Sequence, residues 1–122
     1  MKIVKISLLI LSFNALAFEE VNMDNFIKQQ IEHAKQMLNQ EFASAGSPTI
    51  KLAEKVIWPN KALGCPRDDV NYNQVLTDGI RIVLSVDGKD YIYHGDSKGK
   101  LFLCDPSKVS TIYRTGWQSA EY

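Results

Sequence analysis

The sequence predicts an α+β fold in which one N-terminal amphipathic helix packs on a three- to five-stranded antiparallel sheet, with one disulfide. Three observations support this prediction. Apolar residues recur every three or four positions over residues 23–43, and alternation of apolar and polar residues begins at Thr49. The chain contains two cysteines, Cys65 and Cys104. A helix that precedes several antiparallel strands buries its apolar stripe by packing across one face of the sheet. We therefore expect a single small domain over residues 18–122.

The first 17 residues have the pattern of a secretory signal peptide. Lys2 and Lys5 form a positive n-region, residues 6–13 form an apolar h-region, and Ala15-Leu16-Ala17 matches a signal-peptidase site. The apolar run is much shorter than the ~20 residues that span a bilayer. The sequence thus predicts an exported protein, periplasmic or secreted, with no membrane insertion after cleavage.

The predicted mature chain has a formal charge of −2, because the leader removes two lysines from a chain with 14 basic and 14 acidic residues. It lacks the basic surplus that nucleic-acid binding needs, and we expect no nucleic-acid partner.

The helix is predicted over residues 23–43. No Gly or Pro occurs between Phe18 and Ala45, and Asn22 or Asp24 can cap the start. The apolar stripe contains Met23, Phe26, Ile27, Ile31, Ala34, Met37, Leu38 and Phe42. The opposite face carries mixed charges, so the stripe is predicted to face the core rather than a membrane.

A first strand of about nine residues is predicted where the alternation begins near Thr49, and Pro59 ends it. Residues 59–79 then form a long segment without periodicity. Loops of this length are uncommon in compact domains unless they are functional or held in place. Cys65 lies near the middle of this segment and would hold it.

A β-hairpin follows, with strands over residues 80–86 and 89–94 and a two-residue turn at Asp87-Gly88. Asp-Gly favours a type I′ turn, because both central residues need positive φ. The turn sets the register, and its cross-strand pairs are predicted to be Leu84 with Tyr91, Ile82 with Tyr93, Val83 with Ile92, and Arg81 with His94. The first two pairs form the more apolar face, which should contact the helix.

The C-terminal part predicts a turn over residues 95–99, a short strand from Leu101 to Cys104, and an edge strand from Val109 to Tyr113. The remaining tail, including Trp117, receives no assignment.

Cys65 and Cys104 are the only cysteines, and an even number in an exported chain favours a disulfide between them. A bond closing a loop of about 40 residues is worth roughly 4 kcal/mol in the chain-entropy model.

Several motifs occur in a distinctive order, beginning with Trp58-Pro59 and Leu63-Gly64-Cys65-Pro66 and ending with Cys104. The pattern W-P-x-x-x-L-G-C-P, then Y-x-Q-V, G-x-R-I-x-L, Y-x-Y-H and a late Cys resembles a family of small exported bacterial proteins. The resemblance covers about residues 50–104 and implies an exported single-domain protein, but no catalytic residues. The chain departs from the pattern at residues 67–69, where the family has a sequence closer to Gln-Pro-Gly.

Three kinds of chemistry compete with structural roles for the polar residues of the chain. A Cys65 thiol activated by His94 could act as a nucleophile or redox group, but Cys104 offers a simpler partner. His33 and His94 have no metal-ligand spacing, so we expect no metal or other cofactor. Asp68 and Asp69 could form a catalytic carboxylate pair, but they lie in a loop, where Asp is favoured for local hydrogen bonds to the backbone.

The fourth possibility is a binding surface around the long loop. Its candidate residues are Trp58, Pro59, Leu63, Gly64, Pro66, Tyr72, Tyr91, Tyr93 and His94. Aromatic residues on a disulfide-held loop suit recognition of a protein or glycan. The competing interpretation is that the aromatic residues fill the core of a small domain.

The preferred functional hypothesis is an exported, non-enzymatic binding module for an envelope or extracellular partner. One specific form is a protease-inhibitor-like protein that presents residues 60–66. The alternatives are a thiol-dependent enzyme or redox factor that uses Cys65 with His94, and a structural accessory subunit.

Overall fold

A computed structural model of the protein describes residues 22–43 and 46–115. One helix packs on a five-stranded antiparallel sheet with the strand order β4-β3-β2-β1-β5, which confirms the predicted fold class. The elements are α1 (Asn22–Glu41), β1 (Thr49–Trp58), β2 (Thr77–Val86), β3 (Lys89–Asp96), β4 (Leu101–Cys104), a 3₁₀ turn (Pro106–Lys108) and β5 (Arg114–Thr115). The predicted signal peptide and Trp117 lie outside the described residues.

The β2–β3 hairpin has the predicted turn and register. Asp87 and Gly88 have φ angles of 52° and 79°, the left-handed conformation that a type I′ turn requires at both positions. All four predicted cross-strand pairs are present, including Arg81 opposite His94. The turn therefore determines which side chains of the hairpin share a face.

The helix-side core lies between α1 and one face of the sheet. Ala34 and Leu38 of the helix are buried against Ile82, Leu84 and other residues of β2 and β3. Five further stripe residues pack around this cluster, namely Phe26, Ile27, Ile31, Met37 and Phe42. The predicted apolar face of the hairpin is thus the face that contacts the helix.

The far face of the sheet is also covered, here by the segment between β1 and β2. Val56 and Trp58 of β1 form a second buried cluster with Leu63, and Phe102 and Tyr113 pack against it. We call residues 59–76 the pinned loop, because Cys65 within it is bonded to Cys104 of β4. The last four residues of β1, which alternate between the two faces, are accordingly all buried: Lys55, Val56, Ile57 and Trp58.

The predicted edge strand at Val109–Tyr113 is wrong. Residues 109–113 have no regular structure, and the edge strand is Arg114–Thr115, which pairs with Ile57 and Val56. Other contacts hold the preceding segment: the Ser110 N–H donates to the carbonyl of Gly64 at 2.8 Å. These contacts replace a sheet ladder for this segment.

The remaining differences concern element ends. The helix ends at Glu41 rather than residue 43, β2 begins at Thr77 rather than Ile80, and β3 continues to Asp96. The predicted loop is shortened because residues 77–79 pair with β1. Within the described residues, no helix is long and apolar enough to cross a membrane.

Candidate functional site

The first part of the pinned loop is a tight turn. The side chain of Asn60 accepts a hydrogen bond from the Ala62 N–H at 3.0 Å, and the Cys65 N–H donates to the Ala62 carbonyl at 3.1 Å. Leu63 and Gly64 both have positive φ, 56° and 73°. This backbone reversal directs the Leu63 side chain inward, where it is 3% exposed.

Trp58 occupies a slot between two glycines that are distant in sequence. A Cβ atom at Gly64 would lie 2.3 Å from the indole ring, and one at Gly79 would lie 2.2 Å from Nε1. The indole N–H donates to the Gly95 carbonyl at 2.9 Å, so its polar atom is satisfied although the residue is fully buried. The absence of side chains at Gly64 and Gly79 therefore makes room for Trp58.

His94 lies beside this tryptophan and is also fully buried. Its Nδ1 is 2.9 Å from the Leu63 carbonyl oxygen, which can only accept, so Nδ1 carries the proton. The ring centroid is 4.6 Å from that of Trp58, and Nε2 has no hydrogen-bond partner among the described residues.

Burial disfavours the imidazolium and lowers the pKa of His94 to about 4. The hydrogen bond to Leu63 opposes this effect, and the positive charge of Arg81 adds to it. His94 is therefore a neutral hydrogen-bond donor that holds the turn of the pinned loop against the sheet.

The two tyrosines of β3 lie on the other face of the sheet. Tyr93 is 1% exposed in the helix-side core, where burial and, to a lesser degree, Glu41 and Tyr91 raise its pKa to about 12. Tyr91 is half-buried, and its ring centroid is 5.0 Å from that of Phe42. The sheet thus separates these tyrosines from Trp58 and His94, with which they were predicted to share a surface.

Of the nine predicted surface residues, five are buried: Trp58, Leu63, Gly64, Tyr93 and His94. Their contacts are internal, as the competing core interpretation expects. Pro66 is exposed, and Pro59, Tyr72 and Tyr91 are half-buried. The Tyr72 hydroxyl accepts a hydrogen bond from the Arg67 N–H at 3.2 Å, which ties the later part of the loop to its middle.

An exposed apolar surface, of which the sequence prediction contained only Pro59, involves both ends of the pinned loop and the segment before β5. Leu76 is 61% exposed and Ile112 is 72% exposed. Together with Pro59 they line a cavity of about 220 Å³, and we call these three residues the apolar patch. The signal available in the sequence was a pair of large aliphatic residues in stretches without strand or helix periodicity.

Cys65 and Cys104 form the predicted disulfide, with their Cα atoms 6.0 Å apart. Cys65 therefore has no thiol in this structure. Among the described residues, no group of three or more His, Cys, Asp or Glu side chains could hold a metal ion.

A family model described as a domain of unknown function, DUF8738, matches residues 31–104. The chain belongs to this family. The DUF8738 match begins within α1 and ends at Cys104, so it contains Trp58, the pinned loop, His94 and both cysteines. No curated protein and no solved structure matches the chain significantly.

The DUF8738 match contains the buried residues of both cores but not Phe26, Ile27 and Tyr113, which pack against them. It stops before residues 105–115, which contribute Ile112 to the apolar patch. The family match therefore covers the support of the candidate surface and only part of the surface itself.

Proposed function

We propose that this DUF8738 protein is a small exported bacterial binding module without enzymatic activity, and that a protein partner docks on its apolar patch. The observation that carries the proposal is the exposure of Leu76, at the end of the pinned loop, and Ile112, just before β5, beside one cavity. Exposed aliphatic side chains that converge on one small concave surface are typical of interaction sites.

The backbone on both sides of the patch is fixed before any partner binds. The Thr77 hydroxyl donates to the Val75 carbonyl at 2.8 Å, and the Ile112 N–H donates to the Ser110 hydroxyl at 3.2 Å. Arg114, two residues after Ile112, pairs with β1. A surface held in this way loses little conformational entropy on binding, which favours affinity.

The charge at the patch indicates what the partner carries. Among the described residues that line the cavity, Arg114 is the charged one, and its side chain is exposed. A partner that inserts an aliphatic or aromatic side chain between Leu76 and Ile112 and places a carboxylate next to it would match both features.

The proposal does not include a protease-inhibitor-like role for residues 60–66. Ala62, Leu63 and Gly64, in the middle of the segment 60–66, are buried. A presented inhibitory segment needs accessible side chains, so we place the contact surface on the apolar patch instead.

Export is supported by the signal-peptide pattern and by the disulfide, since such bonds persist in oxidising compartments. The thiol-dependent alternative would first require reduction of that bond, which would also release the pinned loop. No specific observation favours it over the binding role.

Site-specific photo-crosslinking in the native host tests the proposal. A photoreactive phenylalanine analogue at position 112 or 76 should cross-link the same protein, whereas the analogue at Ile50, an exposed aliphatic position that does not line the cavity, should not. Leu76→Asp introduced together with the analogue at position 112 should abolish the product while leaving the melting temperature unchanged. Equal cross-linking from position 50, or a product insensitive to Leu76→Asp, would overturn the proposal.

A further inference from the structure

A second cavity, lined by residues of the pinned loop, Lys100 and β4, has a different chemical character. It has a volume of about 320 Å³, near the lower end of the range for small-molecule sites. Its lining includes Lys61, Arg67 and Lys100, together with Tyr72 and Phe102. None of the described residues that line it is acidic, and none of them belongs to the apolar patch.

Lys61, Arg67 and Lys100 have no ion-pair partner among the described side chains, which are those of residues 25–43 and 46–115. The nearby Asp68 pairs instead with Lys108, at 3.1 Å. Three like charges beside one concavity raise the local positive potential, and this potential favours an anion.

Backbone contacts bring the cations together from separate parts of the chain. The Lys61 N–H donates to the Asn73 carbonyl at 3.1 Å, and the Arg67 N–H donates to the Tyr72 hydroxyl at 3.2 Å. The Lys100 N–H donates to the Asp96 side chain at 2.9 Å, which fixes the turn before β4. The disulfide from Cys65, another lining residue, joins this part of the loop to β4.

The cavity also offers apolar contact. The Lys100 Nζ lies 6.0 Å from the centroid of the Phe102 ring, and Val70 adds an aliphatic side chain to the lining. A hydrated inorganic ion would use the charges but not these surfaces. A ligand that combines anionic groups with a flat apolar body would use both.

From this juxtaposition we infer that the cavity between the pinned loop and β4 is a binding site for a small organic dianion, with two carboxylates on an aromatic or apolar body. Lys61, Arg67 and Lys100 bind the carboxylates, and Tyr72 and Phe102 contact the body. The inference is independent of the apolar patch, since the two cavities have no lining residue in common.

Amide chemical-shift titration of the disulfide-bonded protein tests this inference with three probes. Benzene-1,3-dicarboxylate should produce saturable shifts at residues 62, 72 and 102 that weaken as sodium chloride is raised. The neutral diamide of the same ring and inorganic phosphate should each bind at least roughly tenfold more weakly, given the contributions expected from the paired charges and from the apolar body. The inference would be overturned if the diamide or inorganic phosphate bound with the same affinity as the dicarboxylate.

Charge-removing variants locate the site. Lys61→Met and Lys100→Met should each weaken dicarboxylate binding by roughly two- to fivefold, the range expected for one exposed ion pair. Lys98→Met is the matched control, because it removes the same charge from an exposed residue outside the cavity lining. An equal loss of affinity in the control, or no loss in either cavity variant, would show that the cavity is not the site.

Discussion

The imidazole of His94 donates a hydrogen bond to the carbonyl of Leu63, 31 residues earlier in the chain, at 2.9 Å. This contact joins β3, the second strand of the β2–β3 hairpin, to the turn of the pinned loop. Nδ1 can donate in both the neutral and the charged ring, but protonation of Nε2 would place a charge in a fully buried position where that nitrogen has no partner among the described residues.

The free energy of unfolding should therefore depend on the protonation of His94. Its pKa is lowered by burial to about 4 in the folded protein, against 6.5 for an unperturbed histidine. The unfolded state binds the proton more readily, so this stabilisation is present above pH 6.5 and is lost as the pH falls toward 4. The loss amounts to about 3 kcal/mol.

Urea unfolding of the wild type and of His94→Asn at pH 7, 5.5 and 4 measures this effect. Asn retains an N–H donor for Leu63 but does not titrate, so its stability should fall less between pH 7 and 4 than that of the wild type. His33→Asn, at a half-buried helix position, is the control and should follow the wild-type profile. Parallel pH profiles of stability for the wild type and His94→Asn would show that His94 does not cause the pH dependence.

The slot around Trp58 predicts strong intolerance at Gly79. A Cβ there would lie 2.2 Å from the indole Nε1 and 2.3 Å from the carbonyl oxygen of Gly95, and the latter is backbone that cannot rotate away. Gly79→Ala should lower the free energy of unfolding by about 3 kcal/mol or more, as expected for overpacking against backbone.

Thermal and urea unfolding of Gly79→Ala, compared with Gly46→Ala, tests the slot. At Gly46 the nearest atom to an added Cβ is 3.8 Å away, which is an ordinary contact, and stability should change little. Similar effects at both positions would show that the tryptophan is not confined as described.

These contacts show why the sequence predicts one face of the sheet better than the other. The helix-side core follows from local patterns, since the spacing of Ala34 and Leu38 and the Asp87-Gly88 turn are read within short windows. The burial of Trp58 depends on Gly64 and Gly79, which meet it only after the long loop has folded back. A motif that contains Trp58 looks the same in sequence whether the ring is presented or enclosed.

The edge strand β5 illustrates a second limit. Its two residues, Arg114 and Thr115, are both exposed and show no alternation that a pattern could detect. The preceding residues 109–113 have the β-branched composition of a strand but are held by contacts to the pinned loop. Tertiary contacts thus decide where this edge pairs.

The disulfide should contribute strongly to stability because it closes a long stretch of chain. Its cysteines are 39 positions apart, and the chain-entropy model gives about 4 kcal/mol for a loop of that size. Cys104→Ser should lower the free energy of unfolding by up to this amount in oxidising buffer. In excess dithiothreitol the wild type should fall to a similar stability, and equal stability of both proteins in oxidising buffer would contradict the bond's role.

Truncation of two leucines of the pinned loop should affect stability to very different extents. Leu63 is 3% exposed and packs with Val56 and Trp58, whereas Leu76 is 61% exposed. Leu63→Ala should lower the free energy of unfolding by about 3 kcal/mol through lost burial and a cavity, while Leu76→Ala should change it by less than about 0.5 kcal/mol. Urea unfolding measures both.

The same two substitutions distinguish a residue that stabilises the fold from a residue that contacts the partner. Because Leu76→Ala leaves the fold intact, it should weaken binding of the cross-linked partner without a change in melting temperature. Leu63→Ala should impair binding only under conditions where the protein also begins to unfold. If Leu63→Ala instead abolished binding in a fully folded protein, the inward-facing turn rather than the apolar patch would be the contact surface.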